Sequence, residues 1–150
     1  MLSVISDPEI PVLSIRDIGM LQGVNIVGDG CEVVITPTYT GCPAMGIIEA
    51  DIRAVLESHG IHPVTVKTVL SPAWTTDAIT AEAKEKIRNY GIAPPVASTC
   101  GNVRNAESKI ACPHCSSSDT QVVSRFGATA CKALYKCSAC KEPFEYFKCH

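Results

Sequence analysis

The chain has 150 residues with a net charge of −2, and nine of the residues are cysteine. This length suits one ordinary domain, or one small domain with an appended module that does not depend on a large core. Six of the nine cysteines lie in the last 39 positions, which favours the second arrangement.

The sequence predicts a cytoplasmic protein with no membrane partner. Its first residues lack the basic start of an export signal, and no stretch approaches the roughly 18 to 20 apolar residues that span a bilayer. In a reducing compartment we expect the cysteines to bind metal or to react as thiols, rather than to form disulfides.

Charge is distributed unevenly along the chain. Residues 1–95 carry 6 basic and 11 acidic side chains, whereas residues 96–150 carry 7 and 4. The lysines of the second part are scattered among candidate metal ligands, as on an ordinary solvated surface. The charge pattern therefore argues against a nucleic-acid partner.

The first predicted elements are a rigid turn and a β-hairpin. The segment DPEIP (7–11) places Asp7 and Glu9 between two prolines, where they present carboxylates, cap a helix or simply form a surface turn. Residues 20–27 and 31–38 have the character of strands, and GDG between them favours a hairpin. Cys31 shares the apolar face of the second strand, so we expect it to be a core or edge residue.

Two helices and a third strand follow. Apolar residues recur at helical spacing over 43–59, with Pro43 at the start and Gly60 as a stop. Residues 64–71 alternate as a strand, and residues 77–89 form a second helix that Gly91 and two prolines close. The order β-β-α-β-α predicts an α+β fold, with helices on one face of a small three-stranded sheet.

The predicted domains are 1–95 for this fold, 96–109 for a linker and 110–150 for a small β module. The module contains two CxxC pairs, CPHC (112–115) and CSAC (137–140). A two-residue spacer turns both thiolates of a pair toward one ion, and zinc prefers four such ligands in a tetrahedron. The pattern resembles a zinc ribbon with a structural metal bound by Cys112, Cys115, Cys137 and Cys140.

Alternatives for this module remain open. Iron in place of zinc, a redox dithiol, or His114 in place of one cysteine would use the same segment. Cys131 and Cys149 are additional thiols, either buried beside the site or alternative ligands, and Cys100 in the linker has no assigned role. Because about 40 residues cannot bury enough surface to fold alone, we expect metal binding and folding of the module to be coupled.

Cys42 stands between a glycine and a proline, at the start of the first predicted helix. The positive end of that helix should favour a thiolate, lowering the thiol pKa by about half a unit. The residues alone leave two interpretations, an exposed reactive or metal-binding thiol and a buried turn residue. None of the four histidines is placed to act as its base, which argues against a cysteine hydrolase.

Four segments together resemble the MIP18-like family, whose members assist iron–sulfur cluster assembly: DPEIPVLSIRDIG, VVITPTYTGCPA, LSPAWTTDAI and YGIAPP. With FGATACKAL and EPFEYFKC in the cysteine-rich tail, the whole chain resembles the D (or J) subunits of phenylacetyl-CoA oxygenase (epoxidase) systems. The resemblance implies a non-catalytic accessory subunit in phenylacetate catabolism. Its partners would be the oxygenase and reductase subunits, and its client a metal centre.

The resemblance also assigns roles to residues of the first domain. The family thiol corresponds to Cys42, the acidic turn to Asp7 and Glu9, and the motif after the third strand to Trp74 and Thr75. A [2Fe–2S] cluster generally takes four thiolates, and this domain offers only Cys31 and Cys42. The sequence therefore predicts Cys42 as a transient iron–sulfur ligand, shared with a client or with a second copy in a homodimer. The alternatives are a nucleic-acid-binding zinc ribbon and a thiol-dependent redox protein.

Overall fold

The structure is a computed structural model that describes residues 1–96 and 110–148. The chain divides into two compact units, residues 1–80 and residues 81–150. Each unit has its own small sheet, and each is described separately below. Cys100 and Cys149, together with most of the predicted linker, lie outside the described residues.

The first unit begins with a short 3-10 turn, Leu2–Val4, and a loop that folds back on itself. The N–H of Asp7 donates to the carbonyl of Leu13 (2.8 Å), and the N–H of Ile15 donates to the carbonyl of Ile5 (2.9 Å). The apolar side chains of this loop are buried. Asp7 and Ile10 therefore anchor the predicted DPEIP turn in the core, while its two prolines stay exposed at the surface.

The sheet of the first unit contains β1 (Leu21–Val27), β2 (Gly30–Ile35) and β3 (Val64–Thr68), in that order. A tight hairpin joins β1 and β2 in antiparallel pairing, as GDG predicts. β2 and β3 are parallel, with Cys31 opposite Val64 and Ile35 opposite Thr68. The carboxyl ends of β2 and β3 therefore lie side by side, and the segments that follow them start from the same edge.

Helix α1 (Met45–Ser58) crosses between the two parallel strands. Ile48, Ile52 and Leu56 are buried, and their spacing of four residues forms one stripe along the helix. The helix ends at His59, and Gly60 takes the positive φ (+78°) common after a helix. The predicted helix, 43–59, is longer by two residues at its start and by one at its end.

The second predicted helix divides into two pieces. A 3-10 turn (Thr76–Ala78) is followed by an extended Ile79 (φ −76°, ψ 121°), and only then does α2 begin (Ala81–Asn89). We expected this helix on the first sheet, but it belongs to the second unit, where it contacts β4 (Ile92–Ala93). The placement depends on contacts distant in sequence, which apolar periodicity does not reveal.

The second unit has a four-stranded sheet in the order β4-β7-β6-β5, where β5 is Thr120–Ser124, β6 is Lys132–Cys137 and β7 is Pro143–Phe147. β5, β6 and β7 are antiparallel neighbours, whereas β4 runs parallel to β7. Tyr135 stacks on Phe144 (5.8 Å between ring centroids) and meets Tyr146 edge-on. This small aromatic core and the two sheets confirm the predicted α+β class.

Candidate functional site

The four cysteines of the two CxxC pairs converge in the second unit. All four Sγ atoms lie within 4.8 Å of one another. Cys112 Sγ is 3.7 Å from Cys140 Sγ, and Cys115 Sγ is 3.6 Å from Cys137 Sγ. Zinc–sulfur bonds of about 2.3 Å in a tetrahedron place sulfur atoms about 3.8 Å apart, so the cluster has the size of a zinc site.

The two CxxC pairs form turns of the same geometry. In the first, the N–H of Ser116 donates to the carbonyl of Cys112 (2.9 Å); in the second, the N–H of Lys141 donates to the carbonyl of Cys137 (3.1 Å). Ser116 (φ 61°) and Lys141 (φ 69°) both follow the second cysteine of their pair and both adopt a left-handed conformation. Each turn thus aims two thiols at one point from its own side.

The thiols of the cluster influence one another's ionisation. The pKa of Cys137 is lowered to about 7, mainly by a hydrogen bond from the backbone N–H of Cys140. Burial of Cys137 opposes this shift, and the N–H of Ala139 adds to it. For Cys140 the N–H of Glu142 acts in the same direction, but burial and the neighbouring thiols raise the pKa to about 12. Four thiols this close cannot all ionise without a cation, and a divalent metal removes that repulsion. The donor set therefore fits a metal ion.

Two predicted alternatives in this unit take other positions. His114 is exposed and is not a member of the four-cysteine cluster. Cys131 is buried, and its Sγ lies 3.0 Å from Thr129 Oγ1, also outside that cluster. Within residues 110–148, the group that could hold a metal ion consists of the four cysteines of the two CxxC pairs.

Cys42 lies in the loop between β2 and α1 of the first unit, just before the helix. Its N–H donates to the carbonyl of Tyr39 (3.3 Å), and its own carbonyl accepts from the N–H of Met45 (3.4 Å). The residue is only 8% exposed. Of the two interpretations of this residue, the exposed thiol is wrong, because the Cys42 side chain is buried near Tyr39 and the acidic turn of Asp7 and Glu9.

The pKa of Cys42 is raised, opposite to the helix-end prediction. Burial is the main cause, and it outweighs the hydrogen bond from the N–H of Ala44. The carboxylates of Glu9 and Asp7 raise the pKa further, while the hydroxyl of Tyr39 lowers it. The structure thus places the acidic turn and the thiol in one neighbourhood, although 32 residues of sequence separate Glu9 from Cys42.

Asp7 and Glu9 have different surroundings. Asp7 is buried, and its Oδ1 accepts hydrogen bonds from the N–H groups of Glu9 (2.7 Å) and Ile10 (2.9 Å). Its carboxylate therefore caps the turn. Glu9 is half-buried, so its carboxylate is the more accessible of the two to an ion near Cys42.

Trp74 is buried in the segment that follows β3. Its indole Nε1 donates to the carbonyl of Ile18 (2.9 Å). The ring also lines a small cavity of about 90 Å³ beside Tyr39 and Thr40, just ahead of Cys42. Thr75 is exposed and precedes the 3-10 turn without a side-chain cap. Trp74 therefore approaches the Cys42 loop, and the functional roles of all these residues stay predictions.

Sequence reasoning missed Tyr39. It belongs to the same short segment as Cys42, TYTGCPAM, and its hydroxyl is a hydrogen-bond partner of the thiol. A tyrosine three residues before a cysteine at a strand end was the available signal.

The exposed His59 binds the carbonyl of Val55 through Nδ1 (2.7 Å) and stays with its own helix.

Comparisons with known proteins define the class of the two units. The family model described as "Iron-sulfur cluster assembly protein" matches residues 1–71, and the "PaaD zinc beta ribbon domain" matches residues 97–148. The chain combines an iron–sulfur assembly domain of the MIP18-like type with a zinc ribbon. The two matches leave 72–96 unassigned, so the predicted domain limits at 95 and 110 stay predictions.

The chain belongs to the family of phenylacetyl-CoA epoxidase D subunits. It is 48% identical over 149 residues to the D subunit of a "Putative 1,2-phenylacetyl-CoA epoxidase" from Escherichia coli (strain K12), covering 99% of this chain and 89% of that protein. This confirms the resemblance found in the sequence motifs.

The first unit alone has further relatives. An "Fe-S protein maturation auxiliary factor" of Porphyromonas gingivalis (strain ATCC BAA-308 / W83) is 36% identical over 85 residues, covering 55% of this chain and 80% of that protein. The crystal structure of a DUF59 domain from Bacillus anthracis superposes with a TM-score of 0.54 at 26% identity, covering 57% of this chain and 83% of that one. Among the described residues, no helix is long and apolar enough to cross a membrane.

Proposed function

We propose that this protein is a non-catalytic accessory subunit of a phenylacetyl-CoA oxygenase (ring-1,2-epoxidase) system in aerobic phenylacetate degradation. In this proposal it helps to build an iron–sulfur cluster of the system, most directly that of the reductase. The supporting observation is the placement of Cys42, a single thiol beside Glu9 and Asp7, in a unit of the iron–sulfur assembly class. Its partners are then the oxygenase and reductase subunits.

The ribbon has a structural part in this proposal. Four cysteine thiolates would complete the coordination of one zinc ion and leave no position for water or substrate, as a catalytic zinc needs. The small aromatic core beside it is too limited to fold about 40 residues alone, so the metal supplies stability. Nothing in this arrangement calls for catalysis by the ribbon.

Cys42 serves as a transient ligand because one thiol cannot hold a cluster. A [2Fe–2S] cluster takes four protein ligands, whereas the first unit has one other cysteine, Cys31, which lies within β2 rather than in the loop of Cys42. The remaining ligands come from the client or from a second copy of the chain. Glu9 and Asp7 disfavour a thiolate in the free protein, but the same negative charges attract an iron cation, whose binding releases the proton of Cys42.

Cluster transfer to the purified reductase apoprotein tests this proposal. The reductase is incubated with iron, sulfide and the full chain, and cluster formation is followed by its visible absorption. We expect Cys42→Ser to abolish the stimulation that the wild-type chain gives. Cys31→Ser is the matched control, because it changes the other buried cysteine of the same unit.

The proposal fails if Cys42→Ser stimulates cluster formation as well as the wild-type chain does. Circular dichroism of both variants separates a lost ligand from a lost fold. A variant with native secondary structure and no stimulation supports the role of the thiol, and an unfolded variant supports a packing role instead.

A further inference from the structure

Within residues 110–148, one phenylalanine or tyrosine side chain is exposed to solvent. Phe126, in the loop between β5 and β6, is 67% exposed, and the neighbouring valines Val122 and Val123 of β5 are also exposed. Within residues 110–148, β5 has a strand neighbour on one side only. Three exposed apolar side chains within five residues of one strand and its loop are a candidate contact surface. We call Val122, Val123 and Phe126 the β5 patch.

An ion pair and hydrogen bonds fix the position of the loop that carries Phe126. The buried Lys132 Nζ and the half-buried Glu145 Oε2 form an ion pair (2.8 Å). The other oxygen of Glu145 accepts from the N–H of Ala128 (2.9 Å), and the N–H of Gly127 donates to the carbonyl of Lys132 (2.8 Å). A side chain at Gly127 would come within 2.8 Å of Glu145 Oε1, so the loop packs closely on the pair.

Lys148 also contacts this loop. Its Nζ lies 4.6 Å from the centroid of the Phe126 ring and 3.3 Å from the carbonyl of Arg125. The N–H of Phe126 donates to Ser124 Oγ (3.2 Å). An aromatic ring that is already ordered loses little conformational entropy when a partner covers it, which is the property of a binding hot spot.

The charge around the β5 patch is positive. Residues 110–148 carry five basic and three acidic side chains. One of each sign is used in the Lys132–Glu145 pair. Arg125 and Lys148 flank Phe126, and among the described residues no carboxylate pairs with either of them. A partner that covers Phe126 therefore brings carboxylates next to these two cations, since burying them unpaired is costly.

We propose that the β5 patch is a docking surface for an acidic segment of a second protein, with an apolar side chain that covers Phe126 and carboxylates that pair with Arg125 and Lys148. This deepens the proposed function, on which it rests for the identity of the partner as the oxygenase or the reductase. Contact occurs through side chains rather than strand addition, because a bulge at Val123 interrupts the edge of β5.

A protein partner fits these groups better than a nucleic acid does. Two valines offer nothing to a phosphate backbone, and the whole chain is acidic, with a net charge of −2. A second copy of the chain would place the cations of two identical patches against each other. Binding of a nucleic acid and dimerisation through this patch are the competing outcomes of the test.

Binding of the full chain to purified oxygenase and to purified reductase is measured by titration calorimetry at low and high salt. We expect one of the two to bind, more weakly at high salt. Phe126→Ser should raise the Kd by about tenfold or more. Ile26→Ser is the matched control, because Ile26 is equally apolar, is 87% exposed and lies on the edge strand of the first unit. Arg125→Glu should weaken binding and reduce its salt dependence, whereas Lys67→Glu should not.

Several outcomes overturn the inference. They are binding to neither component, an unchanged Kd for Phe126→Ser, a concentration-dependent dimer that Phe126→Ser abolishes, and retention on duplex DNA that Phe126→Ser abolishes. The cluster-transfer assay separates this inference from the proposed function. If Cys42→Ser blocks transfer while Phe126→Ser binds normally, only the docking surface is wrong. If Phe126→Ser weakens binding while Cys42→Ser transfers normally, only the maturation role is wrong.

Discussion

The carboxylate of Glu9 lies close enough to Cys42 for its negative charge to oppose ionisation of the thiol. Burial raises the pKa of Cys42 first, and Glu9 raises it further. A cation bound between the two groups pairs with the carboxylate and favours the thiolate, so it lowers the pKa of Cys42. If Cys42 binds iron as proposed, the thiol is therefore neutral in the metal-free protein and ionised when iron is bound.

Alkylation of Cys42 tests the direction of this pKa shift. Only the thiolate reacts, so a raised pKa leaves less reactive species at pH 8, and we expect native Cys42 to react with iodoacetamide more slowly than the same cysteine in urea. The rate should keep rising beyond the ordinary thiol pKa of about 8.5. Peptide mass spectrometry of timed samples gives the rate at each pH.

Because burial alone also slows alkylation, the electrostatic part is tested by substitution. Glu9→Gln should shift the rate profile of Cys42 to lower pH, and Glu57→Gln, near the far end of α1, should not. A native profile centred below the ordinary thiol value would contradict the assignment.

Asp7 should prove to be a structural residue as much as a site residue. Its Oδ1 accepts two backbone hydrogen bonds within a buried turn, so Asp7→Ala should lower the free energy of unfolding by about 2 kcal/mol. Asp7→Asn keeps the acceptor oxygen and should cost less. Urea denaturation of the three proteins measures this order, and equal losses for both variants would show that charge rather than hydrogen bonding matters.

Metal removal should unfold the ribbon selectively. A chelator leaves four thiols in contact without their cation, and we expect the second unit to lose its native near-ultraviolet dichroism from Tyr135 and Tyr146 while the Trp74 signal remains. Elemental analysis should find about one zinc per chain in the untreated protein. Cys115→Ser should act like the chelator, and Cys131→Ser is the control. A ribbon that keeps its tertiary signal without metal would refute the coupling.

Gly30 lies where the backbone of β2 closely approaches the segment that leads into β3. A Cβ at this position would overlap the carbonyl oxygen of Pro63, in the segment that leads into β3. Gly30→Ala should destabilise the protein by about 2 to 3 kcal/mol, because the strand pair cannot separate without losing register. Gly23→Ala in β1 is the matched control, since no atom lies within 4 Å of its Cβ. Thermal unfolding of both variants distinguishes them.

Local patterns predicted much of this protein, and long-range packing explains the rest. Strand-like patterns located all three strands of the first sheet, and helical spacing located α1, whose Ile48, Ile52 and Leu56 are buried. The CxxC spacing identified the four-cysteine cluster, since two short turns are enough to bring the four thiols together. The sequence did not reveal that α2 packs with β4, nor that Cys42 is buried with a raised pKa. Both depend on segments far apart in the chain, which one-dimensional periodicity does not relate.

The burial of Cys42 has a consequence for the lifetime of the thiol. Oxidation to sulfenic and sulfinic acids begins at exposed thiolates of low pKa, and Cys42 is neither exposed nor readily ionised. In the free protein, burial and the raised pKa therefore slow the oxidation of the Cys42 thiol. In the proposed function, a partner that opens the loop between Tyr39 and Ala44 would expose the thiol, and the fold would protect it from oxidation until then.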